Sequence, residues 1–172
     1  MSFSLPLEVL ATLREFRTCE LTTIAKRGTP LTWPVSARYF PEKNLFLMTT
    51  SIGFPQKAYN LRRNPHISML FSNPTGSGLQ KSAAVLVQGE AKVGDEVMSS
   101  VSQAEGLREY WLESIFKRQP SASIVSRNPL MRLWMDWYYL RLLITITPRR
   151  IYWWPEGDFS VSPCKIEVPH VE

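Results

Sequence analysis

The sequence predicts a mainly β (α+β) protein, an antiparallel β-barrel of six or seven strands with peripheral helices. Short segments rich in β-branched and aromatic residues recur along the chain, and tight turns join most of them. Few segments show the spacing of an amphipathic helix. The 172 residues, of which 44% are hydrophobic and 20% charged, suffice for one domain with a core, and we assign residues 1–172 to a single domain.

The first fifty residues are predicted to form one helix and three strands. Apolar residues at Leu7, Leu10, Leu13 and Phe16 have helical spacing and predict a helix over residues 5–16. Turn sequences that contain glycine or proline then divide the chain into strands. These strands cover residues 19–25, 31–40 and 45–50, and the last two form a hairpin.

The rest of the chain is predicted to contain three helices and four strands. Pro55 predicts the start of a short helix that ends at residue 63. Asp95 is predicted to cap a longer helix that reaches about residue 118. Residues 119–139 are irregular by pattern, with a short helix at about 130–137. The predicted strands are residues 67–72, 83–93, 140–147 and 150–154, the last two on either side of Pro148.

Composition and motif content exclude several classes of function. No apolar run approaches the ~18 residues of a membrane-spanning helix, and no basic stretch precedes the apolar residues at the start, so we expect a cytoplasmic protein with no membrane partner. Two cysteines and two histidines, without metal-ligand spacing, predict no metal site. The net charge of +5 is scattered, which favours a small anionic ligand over nucleic acid. Hydrolase and nucleotide-binding motifs are also missing, so we expect a cofactor to supply the chemistry, with no catalytic side chain.

One segment has the composition of a phosphate site. The predicted strand that ends in Thr49, Thr50 and Ser51 leads through Gly53 into the helix that carries Lys57 in its first turn. Hydroxyls, free helix amides and an ammonium group would converge there on an anion. The alternative is that the hydroxyls only cap the helix and Lys57 is a solvated charge.

Several motifs in order resemble those of the pyridoxamine 5'-phosphate oxidase-like, FMN-binding split β-barrel superfamily. They are Pro34-Val-Ser, L-x-x-x-T-T from Leu45, K-x-x-N-L-x-x-N-P from Lys57, V-x-V-x-G-E-A from Val85, and P-x-R-I-x-x-W from Pro148. The resemblance implies a split β-barrel and a homodimer. It also implies FMN or a deazaflavin bound between the two subunits.

The resemblance also assigns cofactor-binding positions. Lys57 and Thr50 would hold the cofactor phosphate, with Met48 and Thr49 beside them. Gln56 stands where the phosphate oxidase itself has an arginine, so one phosphate contact is weaker. The isoalloxazine would lie along a strand, with a tryptophan from the partner subunit and a substrate-facing cation nearby. These positions are Trp33, Pro34, Val35 and Ser36 on the strand, Trp154 from the partner, and Arg38 for the substrate.

Departures from the resemblance limit the function that it implies. The basic and histidine cluster that follows the C-terminal tryptophan of the oxidase is missing, and Ala84 stands in place of a glutamine. We therefore expect an FMN-dependent oxidoreductase that acts on a small organic molecule other than pyridoxamine 5'-phosphate. Residues 60–65 also resemble the branch that uses the deazaflavin coenzyme F-420. The alternatives are therefore a reductase that uses coenzyme F-420, or a non-catalytic flavin- or haem-binding protein.

Overall fold

The computed structural model describes residues 4–99, 102–116 and 140–169. Three α-helices lie in these residues: α1 (Leu7–Glu15), α2 (Gln56–Arg63) and α3 (Leu107–Glu109), the last continuing as a π-helical turn over Tyr110–Phe116. Two short 3-10 helices cover Pro41–Lys43 and Pro155–Gly157. The strands are β1 (Cys19–Ile24), β2 (Pro30–Val35), β3 (Arg38–Phe40), β4 (Leu45–Ser51), β5 (His66–Phe71), β6 (Ala84–Met98), β7 (Arg141–Trp154) and β8 (Cys164–Glu167).

All eight strands pair antiparallel in one sheet, in the order β2-β1-β5-β6-β7-β4-β3, with β8 beside the second half of β7. The two strands at the ends of this order, β2 and β3, are joined only by residues 36 and 37. Three Cα–Cα steps span at most about 11 Å, so the sheet must coil until its two edges lie close together. This geometry is a barrel with one open seam and confirms the predicted fold class. The described residues form eight strands, where six or seven were predicted.

The core fills the inside of this coiled sheet. Phe71 lies between Phe16 and Phe46, with ring centroids 6.3 and 6.1 Å away, and all three are fully buried. Helix α1 covers the core with Val9 and Leu13, which are also fully buried. Burial of each such side chain stabilises the fold by about 1.5–3 kcal/mol.

The predicted strand over residues 31–40 is two strands. β2 pairs with β1, whereas β3 pairs with β4. The chain therefore leaves one edge of the sheet and joins the other at Ser36 and Ala37, which are both buried. Periodicity along the sequence cannot show this change of partner, because both halves have the same strand pattern.

The helix predicted to begin at Asp95 is wrong in its first half. β6 continues to Met98, with Val97 paired to Leu142 of β7. Asp95 lies on this strand and forms an ion pair with Arg62 at 3.5 Å. Pairing with the long strand β7 is interrupted at residues 94–96 and resumes at Val97, and this tertiary pairing on both sides of Asp95 overrides the local helical pattern.

The two predicted C-terminal strands are one strand, β7, which runs through Pro148. The register shifts by one residue at Arg149, next to the pair of Gly89 and Pro148. Such a β-bulge tolerates proline, which has no N–H to donate. A Cβ atom on Gly89 would lie 2.3 Å from the carbonyl oxygen of Thr147, so the bulge requires glycine there. The irregular stretch predicted for residues 119–139, including the short helix, lies outside the described residues.

Candidate functional site

The turn between β4 and α2 is closed by two hydroxyl groups. Thr50 Oγ1 donates to the carbonyl oxygen of Phe54 at 3.2 Å, and Ser51 Oγ accepts from the amide of Gly53 at 3.1 Å. Pro55 occupies the cap position of α2 and offers no side-chain hydrogen bond. The hydroxyls therefore shape the turn and do not cap the helix. This argues against the alternative that their role is only to cap α2.

Lys57 lies at the start of α2 against an indole ring. Its Nζ atom is 5.5 Å from the ring centroid of Trp33 on β2. Burial, with the neighbouring charge of Arg141 as a smaller cause, lowers the pKa of Lys57 below its usual value. No carboxylate of residues 4–99, 102–116 or 140–169 pairs with Lys57. The structure thus places a half-buried cation where an anion would be stabilised.

Arg141 is a residue of this site that the sequence analysis missed. It begins β7, opposite Ser51 of β4. Its Nε donates to Thr49 Oγ1 at 2.6 Å and its Nη2 donates to the Thr49 carbonyl at 3.2 Å. Its guanidinium also lies 5.4 Å from the ring centroid of Trp111. An arginine at the start of a strand has no distinguishing pattern, and only the β4–β7 register brings it to the site.

A buried amide fixes the position of α2. Asn60 Nδ2 donates to Thr23 Oγ1 of β1 at 3.0 Å, and both residues are fully buried. Asn60 Oδ1 accepts from Gln56 Nε2 at 3.0 Å and from Arg63 Nη2 at 2.6 Å. These bonds hold the helix against β1, which is the neighbour of β2, so that Lys57 meets Trp33. The bond from Gln56 to Asn60 directs the Gln56 side chain along α2.

The predicted isoalloxazine strand ends beside α3. Trp33 is partly buried and Pro34 is exposed, whereas Val35 and Ser36 are buried. The carbonyl of Ser36 accepts a hydrogen bond from Tyr110 Oη at 3.0 Å. The next residue after Tyr110 is Trp111, which packs on the guanidinium described above, so the π-helical turn that follows α3 connects the end of β2 with the start of β7.

Three predicted site residues, Met48, Trp154 and Arg38, lie apart from this cluster. Met48 is 1% exposed, so its side chain belongs to the core. Trp154 ends β7 and packs on Phe159 with centroids 5.1 Å apart. Since β7 has 14 residues, about 40 Å of strand separates Trp154 from Arg141. Within one chain, Trp154 therefore does not belong to the site around Lys57.

Arg38 lies in a cleft of about 470 Å³ between α1, the β3–β4 hairpin and α3. Its guanidinium faces Glu109 at 3.8 Å and Glu113 at 4.0 Å, and it lies 5.4 Å from the ring centroid of Phe40. These carboxylates already neutralise the charge that the sequence analysis assigned to a substrate. An anionic substrate at Arg38 would have to displace them.

In the described part of the chain, no group of three or more His, Cys, Asp and Glu side chains could hold a metal ion. The helices in the same residues are too short or too polar to span a membrane.

Comparison with known proteins identifies the fold. No protein-family model matches the sequence, and no curated protein matches it. Solved structures do match, and one of them is a putative pyridoxamine 5'-phosphate oxidase from Listeria innocua. Its sequence is 21% identical, its TM-score is 0.51, and the match covers 85% of this chain and 96% of that one. The chain has the pyridoxamine 5'-phosphate oxidase-like split-barrel fold.

Two further solved structures match this chain, and their names refer to different cofactors. A haem-binding protein from Mycobacterium smegmatis has 14% identity and a TM-score of 0.58, and the match covers 96% of this chain and 60% of that one. An F420 reductase has 18% identity and a TM-score of 0.52, with 81% and 93% covered. The shared split barrel thus fixes the architecture and leaves the cofactor open.

Proposed function

We propose that this split barrel is an FMN-dependent oxidoreductase that acts on a small organic substrate. The observation that carries the proposal is the half-buried Lys57 at the start of α2, beside Trp33 and next to the hydroxyl-rich turn that follows β4. A phosphate would meet the lysine and the first amides of the helix together. The Thr50 hydroxyl would turn its proton from the Phe54 carbonyl to the phosphate.

In this proposal the protein binds the flavin and orients the substrate. The flavin supplies the redox chemistry, because it accepts and releases a hydride or single electrons. Backbone groups of Pro34 to Ser36 would lie along the edge of the isoalloxazine. The hydrogen bond from Tyr110 to Ser36 stabilises the end of that strand. A site of this kind accelerates the reaction by holding the substrate against the ring and by excluding water.

We further propose that the active unit is a homodimer, with the cofactor at the subunit interface. Trp154 does not reach Lys57 of its own chain, so a contact between Trp154 and the cofactor requires a second copy. Large apolar side chains are also exposed, with Phe54, Tyr59 and Phe159 each more than half accessible. An obligate dimer would bury 2,000 Å² or more. Light scattering after size exclusion should give twice 19.8 kDa at low micromolar concentration, and a monomer would refute the dimer.

Pyridoxamine 5'-phosphate is not the substrate in this proposal. The cation nearest to a substrate position, Arg38, faces two carboxylates, and the basic cluster of the oxidase is missing from the sequence. Each absent charge-assisted bond to a substrate phosphate would cost about 1.5–3 kcal/mol. Turnover of pyridoxamine 5'-phosphate at ordinary enzymatic rates would contradict this part of the proposal.

An absorption spectrum of the purified protein tests the choice of cofactor. We expect the blue absorption band of an oxidised flavin, bleached by dithionite and restored by an electron acceptor. A second candidate is a reductase that uses coenzyme F-420, favoured by the likeness to the F420 reductase, and it would show a deazaflavin band at shorter wavelength. A Soret band would indicate haem. A protein that neither carries FMN nor binds added FMN would overturn the proposal.

A further inference from the structure

We propose that the cleft around Arg38 binds a small neutral molecule through a primary carboxamide group, whose carbonyl accepts from Arg38 and whose N–H donates to Glu109. The cleft has a volume of about 470 Å³, which lies in the range of small-molecule sites. The inference goes beyond the proposed function and does not depend on it, because the residues that line the cleft are not those of the site around Lys57.

Arg38 and Glu109 face each other in the cleft without forming a hydrogen bond. Arg38 Nη2 and Glu109 Oε2 are 3.8 Å apart, whereas an N–H···O bond needs about 2.9 Å. The Arg38 side chain is 28% exposed, and its buried Nε atom has no hydrogen-bond partner among residues 4–99, 102–116 and 140–169. Buried polar groups normally have such a partner. The cleft therefore presents a donor and an acceptor that one ligand group could satisfy together.

Contacts between β3 and the segment around α3 hold this pair at its spacing. The ring centroid of Phe40 lies 5.4 Å from the guanidinium carbon of the arginine. The same ring packs on Gly106, where a Cβ atom would lie 3.0 Å from it, and a φ of +77° favours glycine there. On the other side of Glu109, the Tyr110 hydroxyl donates to the Ser36 carbonyl at 3.0 Å. A ligand would thus meet a donor and an acceptor whose positions are already fixed.

The spacing of the pair fits one edge of an amide. The oxygen and nitrogen of an amide are about 2.3 Å apart across the carbonyl carbon. Each of them can lie about 2.9 Å from its own partner when the two partners are about 4 Å apart, and the 3.8 Å between Arg38 and Glu109 meets this condition. The carbonyl and an N–H must lie on the same side of the C–N bond. A primary carboxamide provides this arrangement, whereas a trans peptide bond places the two groups on opposite sides.

The charges in the cleft disfavour ionised ligands. A carboxylate could accept from Arg38 but would face the carboxylate of Glu109, and Glu113 also lies 4.0 Å from the guanidinium. An amidinium could donate to Glu109 but would face Arg38. A neutral carboxamide gives each of the two groups a partner of the right kind. The apolar side chains that line the cleft, and that a ring attached to the carboxamide could contact, are Leu13, Phe40 and Pro41.

Benzamide, benzoate and benzamidine test the proposal, because they share one ring and differ in charge at neutral pH. An NMR titration of the full chain gives the dissociation constant of each probe, and the shifted resonances locate its site. We expect benzamide to bind about tenfold or more tightly than either charged probe and to shift the resonances of Arg38 and Glu109. Tightest binding of a charged probe, equal binding of all three, or no binding overturns the proposal.

Glu109→Gln should change this preference, since the new side chain still accepts from a carboxamide but can also donate to a carboxylate. The preference for benzamide over benzoate should fall to about threefold or less. Glu105→Gln is the matched control and should keep the wild-type preference, because Glu105 is an exposed glutamate that pairs with Lys43 and does not line the cleft. An unchanged preference in Glu109→Gln, or an equal fall in the control, overturns the proposal.

The wild-type comparison of the three probes needs no variant, so it decides the question even where Glu109→Gln does not fold. Binding of FMN at Lys57 is a separate measurement. A wild-type protein that binds FMN but none of the three probes contradicts the carboxamide site and leaves the proposed function standing.

Discussion

Substitution of Lys57 by alanine should weaken FMN binding much more than it changes the stability of the fold. The phosphate would lose a charge-assisted bond of about 1.5–3 kcal/mol, which raises the dissociation constant about ten- to a hundredfold. The apoprotein loses only the contact with the Trp33 ring, about 0.5–1 kcal/mol. It gains the relief of repulsion with Arg141, and alanine is the best helix former. Its melting temperature should therefore stay within about 3 °C of the wild-type value.

Fluorescence quenching of FMN, with a thermal melt of each apoprotein, measures both effects. Lys26→Ala is the matched control, because Lys26 is an exposed lysine in the turn between β1 and β2. If the two variants bind FMN equally well, the phosphate site at α2 is refuted, and with it the main support for a flavin protein. If Lys57→Ala unfolds the apoprotein, the lysine is structural and the reasoning about the site is refuted as well.

The Lys57→Ala substitution should also change how the free energy of unfolding depends on pH. Burial and the nearby Arg141 lower the pKa of Lys57 below its ordinary value of 10.5. Between these two pKa values the unfolded chain binds more protons than the folded chain, so the contribution of Lys57 to stability rises with pH across that window. The free energy of unfolding of the wild type, minus that of Lys57→Ala, should therefore increase with pH up to about 10.5. Urea denaturation at pH 7.5 and 10 measures this difference, and a decrease would contradict the assigned environment.

Three further substitutions or reactions test the fold around the site. Gly89→Ala should destabilise the protein by more than about 2 kcal/mol, because the new Cβ would collide with a backbone carbonyl at the bulge. Gly94→Ala, on the same strand with ordinary contacts at 3.6 Å, is its control in urea denaturation and should be neutral or stabilising by about 0.5–1 kcal/mol. Asn60→Ala should cost about 1–3 kcal/mol of unfolding free energy, since it breaks the buried bond between α2 and β1; a cost near zero would refute the anchoring role. Burial raises the pKa of the Cys19 thiol, whereas Cys164 is exposed, so a thiol reagent should modify one cysteine in the native protein and two after denaturation.

Local patterns in the sequence were enough for the class of fold and for most elements. Alternation and turn residues predicted the strands around Leu45–Ser51 and His66–Phe71 within about one residue, as well as helix α2. They failed where a distant partner decides the structure. The sequence predicted Asp95 as a helix cap, but β6 continues through it because the pairing with β7 resumes at Val97. The strand β8 was missed because its short, exposed sequence has no burial pattern.

One part of the candidate site could likewise be predicted from the local sequence, and another part depends on tertiary contacts. The segment from Thr49 to Lys57 was predicted from residue types alone, because hydroxyls, a glycine and a lysine before a helix have a local chemical meaning that does not depend on the rest of the chain. The contact of Lys57 with Trp33 depends on the way Asn60 anchors α2 to β1.

Arg141 shows what only the tertiary structure could decide. It lies 92 residues from Thr49 in the sequence, and nothing in its neighbours predicts that its side chain reaches the end of β4. The register of β7 against β4 places its guanidinium on the Thr49 hydroxyl, and a shift of one residue would turn it to the opposite face of the sheet. The sequence by itself therefore determined the chemistry of one wall of the site. Strand register, set by packing across the whole barrel, determined which arginine is hydrogen-bonded to the end of β4 beside it.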